Sequence, residues 1–111
     1  KDNGFEIDHI YPRSPDDDWT KDLKDWVVKK KDMTRQVHRL GNLAPVVWRL
    51  NRKWTNKSLK FKLSPEGFKN PEMPTLQVNR SWMAANRKKW RPSDIDKRET
   101  VLLEVMKKRW P

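Results

Sequence analysis

With 111 residues, 37% of them charged, a mean hydropathy of -1.12 and a net charge of +11, the chain is long enough for one domain with a thin core, built around seven Trp and three Phe. The lack of cysteine excludes disulfides and Cys-based zinc sites, and no stretch approaches the ~20 apolar residues of a membrane span. A core this thin leaves a bound metal or a neighbouring domain to add stability; the start at Lys1 without a visible signal peptide reads as a fragment of a longer protein, and the lack of cysteine is compatible with a cytoplasmic setting.

Phe5-Glu6-Ile7-Asp8-His9 alternates apolar and polar residues, which predicts a short strand ending near His9, with Pro12 barring its continuation. Asp18 is expected to cap a helix over residues 19–30, where Trp19, Leu23, Trp26 and Val27 recur at helical spacing, and the run Lys29-Lys30-Lys31-Asp32 to exit into a loop. Gly41 marks a tight turn that joins a short second strand to a helix. That helix is expected to run from Pro45, which has no N–H to lose at the first helical position, to about Trp54. Residues 57–80, with Pro65, Gly67, Pro71 and Pro74, read as loop with one short helix at the start, and residues 79–90 as helical. The last helix carries the clearest signals. They are Ser93 as N-cap, Asp94 and Asp96 in the first turn, one face of Ile95, Leu102, Val105, Met106 and Arg109, and a basic end near Trp110.

The charge is uneven: residues 1–32 hold nine acids and seven bases, residues 33–111 six acids and nineteen bases. Such a field draws polyanions, so nucleic acid leads as partner. An anionic membrane surface comes second, because no basic amphipathic helix with a clean apolar face dominates the chain. Hydrolysis of a phosphodiester needs a base that is neutral near pH 7 and a hard cation at the scissile phosphate. There are only two histidines, and one of them, His9, follows Asp8 where a strand should stop. Asn42 comes at the turn and Asn51 nine residues later, on the expected helix. Asp8 and Asn51 are suitable oxygen ligands for Mg²⁺, which retains several waters, with Mn²⁺ as a substitute. Asn42 is better suited to fixing loop geometry through bonds to the backbone. Adjacent strand residues point to opposite faces, so Asp8 and His9 serve one phosphate only if the strand bends or ends between them. His38 either orients Asn42, contacts phosphate, or does neither. Arg52, Lys53, Lys62 and Arg98 are candidate phosphate contacts, with a solvated basic face as the alternative for each. The Trp residues read as core, except that Trp54, beside the basic run, is suited to base stacking.

Asp8-His9-Ile10, then Asn42-Leu43, then Asn51 followed by Arg52-Lys53, resembles the ββα-metal motif of HNH (His-Me finger) nucleases. The resemblance implies His9 as general base, Asp8 and Asn51 as ligands of a catalytic Mg²⁺, and Asn42 as a largely structural member of the catalytic set. More widely, His38-Arg39-Leu40-Gly41-Asn42-Leu43, Ser58-Leu59-Lys60-Phe61-Lys62, and Trp90, Ile95 and Arg98 are similar to the C-terminal nuclease domain of GmrSD-type modification-dependent restriction enzymes. Asp8 stands where Glu is common in that family, and Leu59 where Phe is. This resemblance spans most of residues 5–110. It implies one α+β domain, a ββα-metal core wrapped by additional helices. It also implies a DNA endonuclease that contacts mainly phosphate, an N-terminal NTPase-type sensor domain in the full-length protein, and a part in bacterial defence against phage. A non-catalytic nucleic-acid-binding module of the same fold, a ribonuclease or toxin using the same centre, and a domain that binds an acidic protein remain as alternatives.

Overall fold

The computed structural model describes residues 4–54, 56–73, 79, 82–83 and 88–109, leaving out the side chain of Lys53. Two antiparallel strands, β1 (Phe5–His9) and β2 (Leu43–Val47), pair from Phe5 opposite Val47 to His9 opposite Leu43. Helix α3 (Trp48–Trp54) follows β2 directly and packs on both strands. Helices α1 (Asp17–Asp25) and α2 (Lys30–Thr34) occupy the long connection between the strands. Helix α4 (Leu59–Lys62) follows α3, and α5 (Pro92–Arg109) ends the described chain, giving a small mixed α+β domain.

The alternation that marks β1 as a strand does not mark its buried side. Phe5 and Ile7 are 48% and 56% exposed, whereas Asp8 is buried. Cross-strand partners share a face, so Glu6 and Asp8 lie with Val46 and Ala44 on the side where α3 packs. β2 also differs from expectation, because Pro45 lies within the strand opposite Ile7 and the helix begins only at Trp48. A two-stranded sheet has no central strand, so half the N–H groups of β2 face away from β1 and a proline is tolerated there.

The helix caps shift as well. Asp16, not Asp18, caps α1, its carboxylate accepting from the backbone N–H of Asp18 and Trp19 at 3.1 and 3.3 Å. The helix stops at Asp25 rather than continuing to Lys30, because Val27 adopts φ 58° and Val28 N–H closes back on the Leu23 carbonyl at 2.8 Å. The lysine run then opens α2 instead of a loop. In α5 the first helical residue is Pro92, and Asp94 reaches back to accept from Arg91 N–H at 2.8 Å, so Ser93 is not the cap. Of the expected apolar face only Ile95 is buried; Val105 and Met106 are exposed. The short helix expected after residue 57 is α4, capped by Ser58. Of the helix expected over 79–90, only residues 79, 82, 83 and 88–90 are described; Trp110 also lies outside the described residues.

The core is aromatic. Trp19, Trp54, Trp82 and Trp90 are buried, with edge-to-face contacts running from Trp54 through Phe68 to Trp82. Trp54 is fully buried, which removes it as a base-stacking platform. The last helix is bolted to the turn before β2. A Cβ on Gly41 would meet the Ile95 carbonyl oxygen at 2.1 Å, so only glycine allows α5 this close. Arg98 donates to the carbonyls of Gly41 and Leu43 at 3.0 and 2.6 Å, while Arg39 pairs with Glu99 and Asp96.

Candidate active site

The end of β1 is shaped by Lys62, the last residue of α4. Its ammonium donates to the carbonyls of both His9 and Ile10, at 2.8 and 2.9 Å. Successive carbonyls of an extended strand point to opposite sides. One ammonium that serves both therefore requires the chain to leave the extended path between His9 and Ile10. The strand thus ends directly after His9, the last residue paired with β2. The same ammonium forms an ion pair with Asp8, Nζ to Oδ2 at 2.9 Å. Burial pushes the Asp8 carboxyl up and the Lys62 ammonium down, and the attraction between them opposes both shifts. Gly67 makes room for the Lys62 backbone, since a Cβ there would lie 2.3 Å from the Lys62 carbonyl oxygen.

Asn42 holds the other side of the bend. Its Oδ1 accepts from Tyr11 N–H and the Trp90 indole, each at 2.9 Å, and its Nδ2 donates to the carbonyls of Tyr11 and Val37 at 3.0 and 2.9 Å. Its amide is thereby fully engaged inside the protein, joining the segment after β1 to the turn before β2.

Asp8, His9 and Asn51 line one cleft of about 200 Å³, together with Ile7, Pro12, Arg13, Ser14 and Asn56. Asn51 is oriented by Glu6, whose carboxylate accepts from Nδ2 at 3.5 Å. Asn51 Oδ1 and Asp8 Oδ2 are buried without a hydrogen-bond partner among the described residues, apart from the Lys62 ion pair. His9 is half-buried, and its Nε2 lies 3.3 Å from Nδ1 of His38. Burial lowers the pKa of His9, and the nearby His38, Arg13 and Lys62 add to the effect. His38 therefore meets His9 and makes no hydrogen bond to Asn42.

The basic candidates divide. Lys62 and Arg98 are buried and engage carbonyls inside the fold, so neither ion reaches a phosphate at the surface. Burial also lowers the Arg98 pKa to about 10. Arg52 is exposed, its guanidinium 4.7 Å from the centre of the Trp48 ring. The Lys53 side chain lies outside the described residues. Sequence reasoning passed over Arg13, although it is the first cation after His9; it is exposed and lines the cleft. It also passed over Glu6 as an orienting group, because nothing in a strand pattern says which polar residue will face a helix.

The family model for the C-terminal domain of GmrSD restriction endonucleases matches residues 1–105. The chain belongs to this family. No curated protein and no solved structure matches it. The cleft of this GmrSD C-terminal domain combines a half-buried imidazole with lowered pKa, a buried carboxylate and an oriented amide. No group of three or more His, Cys, Asp or Glu side chains spaced for a metal occurs among the described residues. The buried oxygen donors of the cleft are Asp8 and Asn51, with Ser14 and Asn56 also on its lining. Asn51 Oδ1 and Asp8 Oδ2, the latter shared with the Lys62 ammonium, are buried hard oxygens of the kind that suit a cation keeping most of its shell as water and substrate oxygen, as Mg²⁺ does. No described helix is long and apolar enough to cross a membrane.

Proposed function

We propose that the domain hydrolyses DNA phosphodiester bonds at an HNH-type (His-Me finger) centre, the β1–β2–α3 unit acting as its ββα-metal core. The observation that carries this is the meeting of Asp8, His9 and Asn51 at one cleft in a member of a restriction endonuclease family. His9, held neutral by burial and neighbouring cations, takes a proton from the attacking water. Asp8 and Asn51 would hold a Mg²⁺ (or Mn²⁺), which when bound supplies Lewis-acid stabilisation of the departing 3′ oxygen. Lys62 holds the β1 exit next to His9 and pairs with Asp8 beneath the cleft. Arg13 at its rim and the exposed Arg52 contact phosphates, and these contacts carry little sequence information. In this reading the domain is the cutting part of a bacterial anti-phage restriction protein, with recognition residing in a separate sensor domain.

The test is plasmid cleavage with Mg²⁺, comparing wild type with His9→Ala and with excess EDTA. Conversion of supercoiled DNA by wild type alone, abolished by EDTA, is expected. Undiminished nicking by His9→Ala would sink the assignment, and parallel digestion of RNA that outpaces DNA would make the domain a ribonuclease.

A further inference from the structure

The two histidines of the chain meet although they lie 29 positions apart. His9 Nε2 and His38 Nδ1 lie 3.3 Å apart, with the rings edge-to-face at a centroid distance of 5.3 Å and an interplanar angle of 80°. Between two neutral imidazoles such a contact holds one proton, and its position decides what His9 can do. If the proton sits on His38 Nδ1, it occupies the Nε2 lone pair of His9. The remaining proton of His9 is then on Nδ1, and no lone pair is left to accept one from water. If the proton sits on His9 Nε2, His38 Nδ1 accepts it and His9 Nδ1 carries the free lone pair.

We propose that His38 is a positioning residue: by accepting the Nε2–H of His9 through its own Nδ1, it fixes the His9 tautomer and makes Nδ1 the nitrogen that deprotonates water. The inference rests on the reading of His9 as general base. The backbone around His38 is built to hold it in place. On one side the Val37 carbonyl accepts from Asn42 Nδ2 at 2.9 Å, and the Val37 side chain is buried. On the other side Arg39 is tied to Glu99 and Asp96 of α5. His38 itself is exposed, so its ring is held by its anchored neighbours and by His9 rather than by burial. A partner on the other ring nitrogen fixes the tautomer and orientation of an imidazole, and where the histidine is a metal ligand its loss typically costs about 10–100-fold.

The chain contains no other histidine, so ring-nitrogen NMR of the ¹⁵N-labelled protein above neutral pH reads both tautomers directly, and His38 variants assign the signals. His9 is expected as the Nε2–H form in the wild type. His38→Asn, whose Oδ1 takes the place of Nδ1 and accepts the same proton, keeps that form; His38→Leu, similar in size but with no acceptor, gives a mixture. In plasmid cleavage with Mg²⁺, His38→Leu lowers kcat by about 10–100-fold with KM little changed, and His38→Asn restores most of the loss. A wild-type His9 protonated at Nδ1, a His38→Leu protein with wild-type kcat, or a His38→Asn protein as slow as His38→Leu would each overturn the proposal. A failure of the base reading is seen separately, in cleavage by His9→Ala, and leaves the tautomer measurement intact.

Discussion

Lys62 Nζ stands 2.9 Å from Asp8 Oδ2, with the lysine side chain wholly out of solvent and the aspartate nearly so. Each charge replaces water for the other. Such a pair gains little net free energy against its desolvation, but removing one partner strands the second inside the protein. Lys62→Met is therefore expected to lower the unfolding free energy by about 3–5 kcal/mol. That is a large share of the roughly 5–15 kcal/mol typical of a domain. The double variant Asp8→Asn/Lys62→Met should lose less than Lys62→Met alone, because no charge is stranded. Urea denaturation of the three proteins measures this, and equal losses in single and double variants would contradict a coupled pair.

Asn42, whose sequence position suits it to fixing loop geometry, makes four hydrogen bonds inside the protein through its amide, three of them to backbone. Truncation leaves the Tyr11 N–H and the Trp90 indole without acceptors in a dry environment. Asn42→Ala is expected to cost about 3 kcal/mol or more, seen as a large fall in Tm. Residual activity should track the folded fraction. A stable Asn42→Ala protein with abolished turnover would return this residue to the chemistry.

Val27 gives a prediction of opposite sign. It sits at the C′ position of α1 with φ 58° and is 91% exposed, so its side chain adds strain and buries nothing. The left-handed conformation costs an L-residue with a Cβ roughly 1–2 kcal/mol, and β-branching does not relieve it. Val27→Gly should raise stability by about 1 kcal/mol after the larger entropy of unfolded glycine is set against that relief. Thermal unfolding checks it, and a fall in Tm would mean that the side chain makes a contact that offsets the strain.

The parts of the site that were legible in the sequence are those fixed by local pattern. Asp8-His9-Ile10 at a strand end, Asn51 on a helix and a short helix after residue 57 follow from spacing and propensity over a few residues. What was hidden depends on distant partners. The burial of Lys62 needs Asp8, more than fifty positions away, and Arg98 needs the carbonyls of a turn at residues 40–43. Both look like surface cations in a basic chain until those partners are known. Pro45 misled for a related reason. Proline suits the first turn of a helix, but the edge of a two-stranded sheet accepts it equally, and only the pairing with Ile7 decides.

Exposed and buried cations should separate in DNA binding. Arg13 lies open on the cleft rim, whereas the Arg98 guanidinium is engaged with backbone carbonyls. Arg13→Ala is expected to weaken DNA binding and to reduce the slope of log K against log salt by about 1, the mark of one lost phosphate contact. Arg98→Ala should instead lower Tm and leave the salt slope of the folded protein unchanged. Fluorescence anisotropy of a duplex titrated over a range of salt distinguishes them, and an unaltered slope for Arg13→Ala would remove it from the interface.

The pH dependence of cleavage follows from His9. Burial lowers its pKa from the ordinary value near 6.5, and the charges of His38, Arg13 and Lys62 act in the same direction. The neutral form is the base, so the acid limb of the rate profile should lie below pH 6.5. A bound cation beside Asp8 would move it further the same way. Stability has a matching sign. Between the folded and unfolded values the unfolded state binds more protons, so the contribution of His9 to stability falls as pH drops through that window. Arg13→Gln removes one of the charges that oppose protonation and should shift the acid limb upward. Cleavage rates under single-turnover conditions across this range provide the measurement. An acid limb above 6.5 in the wild type, or one that Arg13→Gln leaves in place, would show that His9 does not titrate as the base beside these cations.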